Sequence, residues 1–348
     1  MDVRTLTDGG QTAEDVAGTL GGFLDAARTS LDLAVYDLAL TGAAADRVAE
    51  AIRSAAGRGV AVRVVYNVET DARVPVPPPA RTRPREVESL GVPSKAIAGV
   101  PDLMHHKYVV RDAASVWTGS TNWTQDSWTR EENVIVMVDA PGVAAAFTRD
   151  FGDLWDRGRV VGSGEFDPDP VMVDGARVRV WFSPGRGRKL AHRIATAIGR
   201  SERRIRIASP VLTAGPILGT LAEVVDRDTV DLGGVLDLTQ MREVLVQWAH
   251  NPNAAWKVPA LRCVLEHARF GGKVSTPYGP GTVHDYMHAK VTVCDDLVFV
   301  GSYNLSSSGQ DNAENVLEVS DRALADRMAG FIDELRERYP PATLPWGG

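Results

Sequence analysis

"MHHKYVVRDAASVWTGSTNWT", residues 104–124, places two histidines and a lysine at the head of an apolar, β-branched run that ends in a Gly-Ser-Thr-Asn turn. The chain repeats the arrangement at 287–305, "MHAKVTVCDDLVFVGSYNL". The first copy reads His105-x-Lys107-x4-Asp112, six residues, then Gly119-Ser120-x-Asn122. The second reads His288-x-Lys290-x4-Asp295, five residues, then Gly301-Ser302-x-Asn304. Glu132-Asn133 and Glu314-Asn315 follow 27 and 26 residues after the respective histidines. A single His-x-Lys would be a weak signal. Seven polar positions matched in order, twice, in a chain with seven histidines, are a specific one.

Around each copy the chain alternates strand-like and helix-like segments. "LDLAVYDLAL" (31–40) and "VAVRVVYN" (60–67) read as strands about the Ala-rich amphipathic helix 42–59, and "ENVIVMVD" (132–139) precedes a helix at 140–158. Phe147, Phe151 and Trp155 lie at helical spacing there and read as core. The second half repeats this order, with strands at 203–212 and 230–238, a helix at 215–228, and a strand and closing helix over 314–339. Strand–helix alternation predicts an α/β fold of two similar lobes with mainly parallel mixed sheets covered on both faces. The boundaries read as a first lobe 1–158, a connector 159–176, and a second lobe 177–348 with an insertion at 241–272.

With 348 residues, 44% of them hydrophobic, the chain can bury the core of two such lobes. Cys263 and Cys294 are isolated, which argues against a disulfide framework or zinc cluster and fits a reducing, cytoplasmic setting. The acidic start "MDVRTLTDGG" does not read as a signal peptide, and no run reaches the ~20 apolar residues of a membrane span. A net charge of −7 argues mildly against a whole-surface polyanion binder. One stretch, 184–208, carries Arg186, Arg188, Lys189, Arg193, Arg200, Arg203, Arg204 and Arg206 against Glu202 alone, and reads as a solvated helix face ahead of a phosphate patch.

On a strand, i and i+2 share a face, so His105 pairs with Lys107 and His288 with Lys290, while His106 turns the other way toward packing or surface. A neutral imidazole beside an ammonium is a nucleophile or base next to an anion anchor. The turn residues Ser120, Asn122, Ser302 and Asn304 add hydroxyl and amide groups able to bond phosphate oxygens. Glu132 and Glu314 can accept the other imidazole N–H and fix its tautomer. Two facing sets then supply two lysines for one phosphodiester and two histidines of opposite role. Asp112 and Asp295 are candidates for the same site, but an aspartate at a strand end also caps a turn, and both readings stand. His284 precedes His288 by four residues without a further ligand set, so no metal site is expected. Trp123, Trp128, Tyr278, Tyr286 and Tyr303 flank the motifs, with stacking and core packing equally open.

The paired HxKx4D and GSxN motifs resemble those of the phospholipase D superfamily, over nearly the whole chain, and the flanks "TGSTNWT" and "GSYNLSSSGQDNAEN" look closest to its endonuclease-like branch. The resemblance implies pseudo-two-fold lobes with the active site at their interface. It also implies a phosphohistidine intermediate formed without metal or other cofactor, with His105 as nucleophile and His288 as general acid. The partner expected is a phosphodiester substrate, nucleic acid or nucleotide first and phospholipid second, with a non-catalytic binding module as a third class. Both motifs in one chain predict a site complete in a monomer. The Pro-rich loop 68–84, with Arg73, Arg81 and Arg83, and the 241–272 stretch, with Trp248 and Trp256, are expected to rim the cleft and set the substrate.

Overall fold

The computed structural model describes residues 1–68, 80–227, 229–279 and 281–346. Arg73 and most of the Pro-rich loop lie outside the described residues. The first half runs β1 (Asp2–Leu6), α1 (Ala13–Asp25), β2 (Ser30–Val35), β3 (Leu38–Ala39), α2 (Gly42–Gly57), β4 (Ala61–Val68) and α3 (Pro84–Glu88). It continues through β5 (Ser94–Ala98), β6 (Lys107–Arg111), β7 (Ser115–Gly119), β8 (Trp123–Thr124), α4 (Gln125–Thr129), β9 (Asn133–Asp139) and α5 (Pro141–Arg157). The second half runs β10 (Val171–Val173), β11 (Ala176–Ser183), α6 (Gly187–Gly199), β12 (Arg204–Ser209), α7 (Gly215–Arg227), β13 (Asp231–Asp237) and α8 (Leu238–Ala249). α9 (Lys257–His267), β14 (Arg269–Lys273), β15 (Val291–Cys294), β16 (Leu297–Gly301), α10 (Ser307–Asp311), β17 (Glu314–Ser320) and α11 (Arg322–Arg338) follow.

The sheets order as β1-β9-β7-β6-β2-β4-β5 and β10-β11-β17-β16-β15-β12-β13-β14, one pattern used twice. Within these two sheets parallel pairing is confined to β2–β4–β5 and β12–β13–β14, with a separate short parallel ladder between β3 and β8, a smaller share than the alternation predicts. The physical reason is connection length. The motif strands β6–β7 and β15–β16 are joined by tight turns, which only antiparallel neighbours accept, whereas the parallel strands are linked by helical crossovers. Two boundaries shift. The stretch 159–176 is not a free connector, since β10 pairs with β11 and Val160 and Phe166 enter the core. The stretch 241–272 is not an insertion beside the sheet, since it contributes most of α8, all of α9 and the start of edge strand β14, the counterpart of β5.

One core is common to both lobes. Phe147, Phe151 and Leu154 of α5 and Phe331, Ile332 and Leu335 of α11 belong to one buried cluster with residues from both sheets. Phe147 and Phe182 cross the boundary edge-on, 5.2 Å apart. Each such buried ring contributes about 1.5–3 kcal/mol, so the lobes are fixed by interior packing rather than rim contacts. Helix α5 starts at Pro141 and stops at Gly158, whose φ of 62° closes the C-terminus; α11 starts on the Asp321 side chain, which accepts from Leu324 N–H. Separate outer cores under α1 and α2, and under α6, α7 and α9, cover the remaining sheet faces. Among the described residues no helix is long and apolar enough to cross a membrane.

Candidate active site

The residues just before β6 and β15 meet the starts of β17 and β9, each from the opposite lobe. His105 N–H donates to the Ala313 carbonyl at 2.9 Å, and His288 N–H to the Glu132 carbonyl at 3.1 Å. Each histidine is therefore held by backbone of the other lobe. Lys107 and Lys290 are buried, and each donates from Nζ to the carbonyl of its own histidine, at 2.6 and 2.7 Å. This turns both ammonium groups back toward the imidazoles, and Lys107 also sits 4.6 Å from the Tyr36 ring centroid.

The imidazole partners differ between lobes. His105 Nδ1 lies 2.8 Å from both Glu314 oxygens. His288 Nδ1 lies 3.1 Å from Asn133 Oδ1 and 3.4 Å from Glu131. The register explains this. Ser120 N–H donates to the Val134 carbonyl and Ser302 N–H to the Asn315 carbonyl, so Asn133 occupies the place of Glu314, and Glu131 that of Asn312. Glu132 is thus not the imidazole partner that matching the two Glu-Asn pairs predicts. Its side chain faces away and accepts from Lys273 Nζ at 2.8 Å, Asp8 N–H at 3.3 Å and the Tyr339 hydroxyl. Equal seven-residue strands β9 and β17, counted back from equal closing helices, carry the correct register.

Ser120 and Ser302 are also reassigned. Both are fully buried and donate to Asn133 Oδ1 (2.7 Å) and Glu314 Oε2 (2.6 Å), so they orient the imidazole partners instead of facing phosphate. The adjacent glycines are required by contact. A Cβ on Gly119 or Gly301 would collide with the carbonyl oxygen of Val134 or Asn315. Asn122 and Asn304 do line the cavity, each with an Oδ1 unpartnered among the described residues. Asp112 and Asp295 sit in the left-handed turns after the motif strands, at φ 55° and 53°. Asp112 accepts from the N–H groups of Arg28, Thr29 and Ser30, and Asp295 from those of Glu202, Arg203 and Arg204. These bonds clamp each turn to the neighbouring strand.

Burial holds the pKa of both histidines well below the ordinary imidazole value, and the two lysines add to the effect. Burial also lowers Lys107 and Lys290. It pushes the Glu314 carboxyl up to about 8 against the opposing pull of Lys107 and the Ser302 hydroxyl, and raises Glu131 likewise. A cavity of about 320 Å³ opens over this cluster, lined by His105 and His288 together with Tyr36, Leu103, Tyr286 and Gln240. Helix α8 supplies one wall, as expected of the 241–272 stretch, but Trp248 is core and Trp256 is exposed elsewhere. His106 is buried, 3.1 Å from Asp150, in the packing role the alternation predicts. Trp123, Trp128 and Tyr303 are core, Tyr286 lines the cavity and Tyr278 is exposed. Five arginines of the basic stretch are held in ion pairs, Arg186 with Asp167, Arg193 with Glu318, Arg203 with Asp296, Arg204 with Asp326, and Arg206 with Asp231 and Asp333, while Arg188, Lys189 and Arg200 are exposed.

Two α/β lobes that trade backbone to build one paired His–Lys centre carry the fold and motifs of the phospholipase D superfamily. The family model described as "Cardiolipin synthase, PLD-like domain" matches residues 21–155 and 194–336, and the chain belongs to that family. The mitochondrial cardiolipin hydrolase of Xenopus laevis is 28% identical over 142 residues, which is 41% of this chain and 58% of that protein; that of Xenopus tropicalis is 30% identical over 143 residues, with the same coverage. The match spans under two thirds of the length of these relatives. Phosphatidylserine synthase from Haemophilus influenzae is similar in fold, with a TM-score of 0.67 at 11% identity over 97% of this chain and 86% of that one.

Proposed function

We propose that the protein is a metal-independent phosphodiesterase that passes through a phosphohistidine on His105, acting on a single phosphodiester of phospholipid type. The observation that carries the mechanism is the Glu314 carboxylate on His105 Nδ1, for which His288 has an amide in the closest position. Glu314 holds the Nδ1–H tautomer, leaving the Nε2 lone pair free, and stabilises the imidazolium as the bond to phosphorus forms. Lys107 and Lys290 take the phosphate charge, with the Asn122 and Asn304 amides. An arriving phosphate anion favours protonation of His288, which gives its proton to the departing alkoxide. His288 then removes a proton from the incoming water as water attacks phosphorus and the P–N bond to His105 breaks. The atoms balance as net hydrolysis, and both histidines return to their starting state.

The phospholipid reading moves ahead of nucleic acid because most of the arginines that motivated the latter are paired with acids. The matched family and the curated relatives are named for cardiolipin chemistry. The decisive experiment offers phosphatidylglycerol vesicles and single-stranded DNA side by side, in EDTA. Turnover of the vesicles alone, with label trapped by denaturation in alkali mapping to His105, is the expected result. Dependence on added magnesium or zinc, or label on His288, would overturn the mechanism, and cleavage of DNA alone would overturn the substrate.

A further inference from the structure

The segment leading into the second His–Lys pair, from His284 to His288, carries no bend or turn, so alternate side chains share a face. In the second lobe His284, Tyr286 and His288 line the cavity, while Asp285 between them accepts from Thr276 N–H and hydroxyl at 2.7 and 3.0 Å and Met287 is core. The same register in the first lobe sets Pro101 and Leu103 in the places of His284 and Tyr286, and Leu103 lines the cavity. The segment preceding the motif histidine is thus apolar before His105 and polar before His288. His284 and Tyr286 are 6% and 3% exposed, yet neither His284 Nε2 nor the Tyr286 hydroxyl has a hydrogen-bond partner among the described residues. An unpaired buried polar group carries a substantial cost, and two together on one wall of a reacting centre mark a ligand contact. Burial, with Arg81 nearby, holds the His284 pKa down to about 4, so its imidazole presents one N–H and one lone pair at neutral pH.

We infer that His284 and Tyr286 form the leaving-alcohol subsite, selecting a small alcohol that carries a second hydroxyl over one that ends in a trimethylammonium. The inference rests on the reaction proposed above. In-line displacement by His105 puts the departing oxygen on the far side of phosphorus, where His288 protonates it as the P–O bond breaks. The remainder of that alcohol stays beside the residues that precede His288 in the same extended segment. A second hydroxyl can pair with both unpartnered groups. A trimethylammonium has neither donor nor acceptor and leaves them unpaired, and a site built for a hydroxyl rejects an analogue lacking one.

The test compares kcat/KM for dihexanoyl phosphodiesters bearing glycerol, choline or p-nitrophenol as the leaving group. Wild type should favour glycerol over choline by about tenfold or more. Tyr286→Phe and His284→Phe should each cut that ratio by about fivefold, and the double variant should abolish it. Tyr286→Phe removes one oxygen and keeps the ring, so it reports even if the histidine variant fails to fold; weaker product inhibition by free glycerol is the accompanying readout. A wild type indifferent to the leaving group, or a double variant that keeps the preference, would overturn the subsite. Failure of wild type on all three substrates, p-nitrophenyl included, would instead overturn the phosphodiesterase reading beneath it.

Discussion

At 131–133 the first lobe carries Glu-Glu-Asn, and at 312–314 the second carries Asn-Ala-Glu, on backbone of the same register. Acid and amide have exchanged places. The result is a carboxylate in bidentate contact with His105 and an amide nearest His288, although the strands, turns and glycines around them match. The middle residues differ too. Glu132 anchors a buried cluster that crosses to Lys273 and Tyr339 of the second lobe, where the corresponding Ala313 has no side chain to do so. A repeated scaffold therefore fixes where the chemistry happens without fixing which half performs which step.

The largest expected effect comes from erasing the acid–amide difference. Glu314→Gln should lower kcat by about 10³-fold, because the imidazolium loses its counter-charge, whereas Asn133→Ala should cost about tenfold. Their pH profiles sharpen the contrast. Glu314 faces Lys107, Lys290, His105 and the Ser302 hydroxyl, and must be ionised to support attack. With its carboxyl pushed up to about 8, ionisation of Glu314 should give kcat/KM an ascending limb below that value, while loss of the proton from Lys290, held down to about 7 by burial, or from His288 gives a descending one. Glu314→Gln should lose this ascending limb and Asn133→Ala should keep it. Equal losses in the two variants, or a limb that survives Glu314→Gln, would break the assignment.

A smaller effect separates the middle residues. Lys273→Met leaves Glu132 buried beside a lost counter-charge and should lower stability to urea by about 3–5 kcal/mol. The double variant Glu132→Gln/Lys273→Met should recover part of this, and a mild loss in the single variant would show that Tyr339 and Asp8 N–H suffice. The smallest effect on rate belongs to the motif aspartates. Asp112→Ala and Asp295→Ala each leave strand N–H groups unpaired, with a stability cost of about 1–3 kcal/mol. Burial opposes ionisation of both carboxyls, but these bonds hold their pKa below the usual value, so the contribution is full above the unfolded pKa and fades as pH falls through the folded one. A kcat changed by more than about twofold in either folded variant would return these residues to the site.

The imidazoles, lysines and turn asparagines were legible in the sequence because fixed spacing on a short strand and its turn dictates their direction. Glu131 and Asn133 were not. The path from Ser120 to its partner strand is one residue longer than that from Ser302, so aligning the two Glu-Asn pairs slips the register by one and flips the faces. Asp112 and Asp295 were ambiguous because strand-end aspartates serve turns and sites alike, and only their three N–H partners decide it. The cavity wall required tertiary convergence of α8 with the segments before β6 and β15, which no local pattern encodes. The ion pairs of the arginine stretch were hidden for the same reason, since their partners Asp326 and Asp333 lie over a hundred residues away in sequence.

The crossed backbone bonds at Ala313 and Glu132 also bear on how the two copies could drift apart. Each histidine depends on a main-chain acceptor and a side-chain partner encoded in the other repeat, so a change near residue 105 is compensated near 312–314, and one near 288 near 131–133. Substitutions in related chains should therefore covary between repeats rather than within them. The exchanged acid and amide are what such reciprocal inheritance leaves behind: a pair of duplicates that could specialise only together.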